Sequence, residues 1–199
     1  MTTLHRHDDP PTRIVGDAVA VSDTGTTEGA IASRSAAVLR IAFGLTFLWA
    51  FLDKLLALGF ATGRDADGNV DRFGPAAWIQ GGSPTEGFLK FGAKGPFADF
   101  YHSIAGAAWA DWLFMLGLLG IGIALTFGIG MRIAATLGAL LYLMMWTVVL
   151  PPDNNPVLDD HILGALTLVV LAAVNAGDTW GLGRRWTRTG IVRDNPALR

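Results

Sequence analysis

Hydrophobic positions in this chain gather into four long runs, residues 35–60, 112–129, 133–150 and 162–176, separated by stretches carrying most of the polar, Gly and Pro residues. Each run nears the length a helix needs to cross the hydrocarbon core of a bilayer. The pattern predicts an all-α integral membrane protein, a four-helix bundle in which those runs are the spans. Residues 130–132 link the second and third runs so tightly that the two helices must be antiparallel neighbours. About ten residues after the third run let the fourth return beside them.

The segment 61–108 is too long for a simple connection. From Glu86 it carries Phe88, Phe91, Phe97, Phe100, Tyr101 and Ile104 at spacings near three and four, which predicts interfacial helical segments lying on the membrane, with Lys90, Lys94 and Asp99 toward water. Two readings stand for those rings, an aromatic belt that anchors the protein and a lid that shapes a substrate site. Asp65, Asp67, Asn69 and Asp71 alternate as in the opening of an EF-hand, but the sixth and twelfth positions hold Val70 and Ala76 in place of Gly and Glu. The stretch therefore reads as a solvated turn.

Residues 1–34 hold Pro10, Pro11, scattered charges and no apolar periodicity, so they are expected to be a disordered tail. The apolar run that follows starts too late and runs too long for a cleavable signal, and it is expected to be retained as a span. Residues 177–199 form a basic tail. Arg6, Arg13, Arg34 and Arg40 precede or begin the first span, Arg132 lies between the second and third, and Arg184, Arg185, Arg188, Arg193 and Arg199 follow the fourth. By the positive-inside rule both termini are cytoplasmic and segment 61–108 is outside. The expected location is the bacterial plasma membrane, crossed several times.

Composition narrows the chemistry. Of 199 residues 51% are hydrophobic and 16% charged, with a mean hydropathy of +0.41, leaving no room for a second folded domain beside four spans. No basic footprint for nucleic acid is present. The absence of cysteine excludes thiol relays, thiolate-bound metals and Fe–S clusters carried by this chain. His161 is the only histidine at a span, so no facing pair of haem ligands exists, and no metal site is predicted.

The ionisable residues of the runs cluster at one predicted depth: Asp53 and Lys54 end the first span outside, Asp111 begins the second, and Asp159, Asp160 and His161 begin the fourth. Charges at such positions pair with one another or line a polar cavity. Lys54 is expected beside Asp53, Asp111 or Asp160, where it would stay charged and attract an anion. His161 beside carboxylates would exchange a proton near neutral pH. Asp159 and Asp160 also suit a plain helix N-cap. Trp78, Trp112 and Trp146 lie near the same level, where a ring such as a quinone headgroup would pack. On the other side Asn175 is expected on nearly the same helix face as His161.

Several separated motifs bring a family into view. The run from Arg40 to Leu55 (RIAFGLTFLWAFLDKL), Trp78 to Thr85 (WIQGGSPT), Gly128 to Arg132 (GIGMR), Asp159-Asp-His-Ile162 and Asp178 to Arg184 (DTWGLGR) together resemble the DoxX family of small bacterial membrane proteins across about residues 35–186. The outer loop with its Gly-Gly-Ser-Pro-Thr stretch is most similar to the DoxD-type members, membrane subunits of thiosulfate:quinone oxidoreductase. That resemblance implies a subunit passing electrons from thiosulfate outside to membrane quinone, with quinone as substrate and a small DoxA-like subunit or soluble redox protein as partner. On this reading Lys54 draws in the anion, His161 and Asp160 handle the quinone's protons, and Asp53, Asp111, Trp78, Trp112 and Trp146 line the site. The alternative is a non-catalytic membrane scaffold for redox or sulfur-handling proteins, docked through its Arg-rich tail.

Overall fold

The computed structural model describes residues 24–153 and 155–199, with side chains from Thr27 onward. Among them the secondary structure is helical apart from one isolated bridge between Arg64 and Val70. Helix α1 spans Thr24–Leu56, α2 Ala98–Ile104, α3 Ala108–Phe127, α4 Met131–Val148, α5 Asp160–Ala173, α6 Gly183–Trp186 and α7 Gly190–Asp194. Three stretches, Thr27–Leu56, Ala108–Phe127 and Met131–Val148, are long and apolar enough to cross a membrane. At 14 residues, α5 is shorter.

Helix boundaries depart from the hydrophobic runs where backbone chemistry outweighs hydropathy. Helix α1 starts at Thr24, so residues 24–34 are helical and not a disordered tail, while residues 1–23 lie outside the described residues. Once a helix is nucleated, each further residue adds a hydrogen bond at small cost, and Ala30, Ile31 and Ala32 extend it readily. Its other end falls at Leu56 instead of residue 60, because Ala57 takes a left-handed conformation (φ 52°). Helix α3 begins four residues before the run, at Ala108. It ends where Gly128 (φ 70°) caps it, its N–H donating to the Ala124 and Leu125 carbonyls. A Cβ at Gly128 would stand 2.8 Å from Gly177 Cα, so the position needs glycine for both its conformation and its neighbour. The tight link is thus 128–130, with Met131 and Arg132 already in α4.

Helix α1 packs along α3 and α4 along α5, while α3 and α4 meet beside their shared turn. The α1–α3 approach is close: a Cβ at Gly44 would fall 2.6 Å from Thr126 N. Phe47, Met115, Leu118, Ile121, Leu125, Met131, Ala134, Ala135, Leu168 and Leu171 form the shared core. The outward faces remain apolar, with Leu45, Leu113, Leu116, Leu137, Leu140 and Leu166 all more than half exposed. Water would leave this surface unsatisfied, whereas lipid tails match it.

A smaller cluster of Leu89, Ala93, Tyr101 and Val148 seats the connection between α1 and α3 on the end of α4. The helical content expected there is present as a π-turn at Phe88–Gly92, a 3-10 turn at Gly95–Phe97 and α2. Tyr101 Oη lies 2.5 Å from Thr147 Oγ1, and Lys94 N–H donates to Val148 O (3.1 Å). Phe91, Phe97 and Phe100 are exposed. The Asp65 carboxylate accepts from the backbone of Asp67 and Asn69 and from the Asn69 amide, closing a local turn.

The 177–199 segment is folded, not a free tail. A 3-10 turn at Ala176–Asp178 leads into α6 and α7, and the last residues return to α4, where Arg132 N–H donates to Arg199 O (2.7 Å). Trp186 Nε1 donates to Leu198 O (2.7 Å), and Arg199 pairs with Asp178 (2.8 Å).

Candidate functional site

Among the described residues three charged side chains are almost completely enclosed: Arg40, Asp53 and Asp111. An ion in a low-dielectric interior is stable only when hydrogen bonds replace its water. Each has that replacement, and each obtains it by holding a non-helical segment against a helix.

Arg40, on α1, is 0% exposed. Its guanidinium donates to five backbone carbonyls, those of Leu125, Thr126 (2.8 Å), Ala176 (3.1 Å), Thr179 (3.3 Å) and Trp180 (3.1 Å). Two belong to the last turn of α3, where orphan carbonyls carry the negative end of the helix dipole. The other three lie past the end of α5, where Asn175 has turned left-handed (φ 51°) and no helix satisfies them. Asn175 therefore lies beyond α5 and does not continue the helix face of His161. The fork of donors on one planar group is what allows one side chain to serve two separate segments, the farther one reached 136 residues along the chain from Arg40. Sequence reasoning took Arg40 as an orientation marker and set it opposite Asn175 and Asp178, without assigning it the backbone carbonyls it holds. The readable signal was a lone arginine inside an apolar helix, which must find its partners internally.

At the opposite end the two aspartates act more locally. Asp53 is 1% exposed and accepts from the N–H groups of Phe60 (3.1 Å) and Ala61 (2.9 Å), folding the chain back after α1. Asp111, in the first turn of α3, accepts from Ser83 Oγ (2.8 Å), Thr85 N (3.2 Å) and Thr85 Oγ1 (2.6 Å). Ser83 Oγ in turn accepts from Glu86 N–H (3.0 Å). The Gly-Gly-Ser-Pro-Thr stretch is thus tied to α3 by a single carboxylate. Above it Trp78 and Trp112 meet edge to face at 4.7 Å between ring centroids.

Asp159 caps α5, accepting from the N–H groups of His161 and Ile162 (both 3.1 Å), and its second oxygen lies 2.7 Å from His161 Nδ1. Burial pushes the Asp159 carboxyl up, but the hydrogen bonds from the His161 ring and the Ile162 and His161 N–H groups prevail and hold it below the usual carboxylate value. An ionised carboxylate only accepts, so Nδ1 carries the proton and Nε2 is left as the acceptor. The His161 ring also meets Tyr142 of α4, with centroids 6.2 Å apart. No hydrogen bond to the Tyr142 hydroxyl occurs among the described residues.

Several expected pairings are replaced. The histidine's carboxylate is Asp159, which the helix start aims at the ring, and Asp160 instead points to solvent. Lys54 forms no ion pair among the described residues: the Asp53 oxygens accept from the Phe60 and Ala61 N–H groups, and Asp111 Oδ1 accepts from Ser83 and Thr85. Its ammonium is half-buried and stands 6.0 Å from the centre of the Phe114 ring. Trp146 is separate from the other two tryptophans, with Nε1 donating to Val157 O (2.9 Å) on the α4–α5 connection. What remains chemically uncommitted is therefore Lys54, the Tyr142 hydroxyl and His161 Nε2, set on α1, α4 and α5. Tyr142 was missed because an apolar run hides a single phenol.

No family model, curated protein or solved structure matches this chain. The resemblance noted above accordingly rests on the quoted motifs alone.

Proposed function

We propose that the protein is a multi-pass subunit of a quinone-linked oxidoreductase in the bacterial plasma membrane. Helices α1, α3, α4 and α5 cross the bilayer as a four-helix bundle, with both termini cytoplasmic. Helix α5 covers only about 21 Å at 1.5 Å per residue, less than the roughly 30 Å of hydrocarbon. Arg40 supports a fourth crossing nonetheless, because it takes up the carbonyls of the non-helical residues that extend α5. Irregular backbone is tolerated at membrane depth when protein groups satisfy it.

The observation that carries the redox reading is the Asp159–His161 pair beside Tyr142 at the outer end of the helices. Reducing a quinone to a quinol takes two electrons and two protons. A histidine fixed through Nδ1 can take up a proton from outside at Nε2 and then pass it to a quinone oxygen. Trp78 and Trp112, at the same end of the helices, offer ring faces for the headgroup, and Lys54, with no ion-pair partner among the described residues, offers a charge to an anionic reductant. Following the resemblance, that reductant is thiosulfate or a related small sulfur anion. Two thiosulfates joined as tetrathionate release two electrons, which with two protons convert one quinone to quinol. A small DoxA-like subunit or soluble redox protein completes the electron path.

The test is thiosulfate-dependent quinone reduction in membranes carrying the chain, with and without a candidate small subunit. His161→Ala is expected to abolish turnover and Lys54→Ala to raise the thiosulfate KM. If no pairing exceeds empty membranes, the chain is a scaffold and the outer polar groups are architecture.

A further inference from the structure

Between α3 and α4, toward the turn that joins them, runs an open groove of about 310 Å³. Its floor is Gly117, Gly120 and Ala124 of α3, its far wall Ile133 and Leu137 of α4, and Trp186 of α6 closes one end. A Cβ added at Gly117 or Gly120 would meet nothing within 4 Å, so the missing side chains leave space that nothing in the chain fills.

Four arginines lie close in sequence to residues that line one end of this apolar groove. Arg132 lies between the groove residues Gly130 and Ile133 and is exposed. Arg184, Arg185 and Arg188, on either side of Trp186, are exposed as well. None of these four pairs with a carboxylate among the described residues, and the neighbouring Asp178 is already occupied by Arg199. The folded C-terminal segment holds the cluster in place through Trp186 Nε1 to Leu198 O and through Arg132 to Pro196 O (3.1 Å).

We propose that this groove and its arginines bind one anionic phospholipid of the cytoplasmic leaflet, an acyl chain lying on Gly117 and Gly120 and the headgroup phosphate meeting the arginines. Guanidinium forks match phosphate oxygens, and the negative surface of that leaflet supplies the ligand. Charge complementarity selects this occupant. A free phosphate would use the arginines and leave the groove empty. A symmetric contact with a second copy would fill the groove but set both arginine clusters at one depth, facing each other. The inference rests on the membrane part of the proposed function and is independent of its redox part.

The experiment is native mass spectrometry of the full chain from neutral detergent, titrated with phosphatidylglycerol, with phosphatidylcholine of the same acyl chains, or with glycerol phosphate. Phosphatidylglycerol is expected to bind at least about tenfold more tightly than phosphatidylcholine, losing about fivefold per arginine in R184Q/R185Q/R188Q. Gly120→Leu should weaken retention of both lipids, and unfolding temperatures near wild type would show that the variants are folded. Equal binding of the two lipids, a preference that survives the triple substitution, or competition by glycerol phosphate would each overturn the proposal. So would a wild-type dimer that Gly120→Leu converts to monomer, which assigns the groove to a second copy. Carbonate extraction of cell membranes separates these outcomes from failure of the membrane reading, since a chain released by carbonate is not integral.

Discussion

The two ends of the helix assembly solve the same problem, buried charge, in opposite ways. At the Arg40 end one cation gathers carbonyls from α3 and from the chain beyond α5, so three distant segments depend on one side chain. At the other end Asp53, Asp111 and Asp159 each hold a separate short segment, and Lys54, Tyr142 and His161 Nε2 stay free. A site that must bind and release a substrate cannot spend all its polar groups on architecture. Arg40 is wholly committed to backbone carbonyls, whereas the other end keeps Lys54, Tyr142 and His161 Nε2 uncommitted, which is why we place the redox chemistry there.

That contrast can be broken first at its strongest point. Arg40→Met keeps length but strands five carbonyls, and the loss is expected to be at least about 3 kcal/mol, read as a lowered unfolding temperature in detergent with the 176–180 segment newly open to proteolysis. A variant as stable as wild type would refute the central role given to this residue. Asp111→Ala leaves the Ser83 and Thr85 donors without their acceptor and should cost about 2 kcal/mol. Because the aspartates act locally, hydrogen exchange should rise only around 81–87 and not at α5.

Asp159 provides a pH test. Its folded-state pKa is depressed, so its contribution to stability is fully present above the ordinary carboxylate value of about 3.9 and is lost as pH falls through the lower folded value. Thermal unfolding followed from pH 6 to pH 3 should show this acid-side loss, and Asp159→Asn should flatten it. The smallest effect belongs to Lys54→Met, which breaks no ion pair and should change stability by no more than about 1 kcal/mol. A large loss there would mean that Lys54 is structural, removing the contrast between committed and uncommitted groups.

Much of the fold was legible because lipid-length apolar runs admit few structures. The three long helices, the tight α3–α4 link and the helical segments between α1 and α3 all follow from run length, loop length and aromatic spacing. Helix ends were less legible, because Ala57 and Asn175 leave the helix through left-handed conformations that hydropathy does not encode. The site was legible in membership but not in pairing. Asp53, Asp111, Asp159 and His161 were singled out, yet which carboxylate serves which donor depends on aim, and a two-residue step from cap to ring favoured Asp159 over Asp160.

The sequence by itself determined that this chain is helical and apolar over lengths suited to a bilayer, and that Asp53, Lys54, Asp111, Asp159 and His161 sit near helix ends, since hydropathy and burial cost act position by position. Only the tertiary structure decided that Arg40 binds a carbonyl 136 residues away along the chain, that the basic C-terminal segment folds back onto α4, and that Lys54 is left without an ion-pair partner among the described residues. Those outcomes depend on competition among donors and acceptors brought together in space.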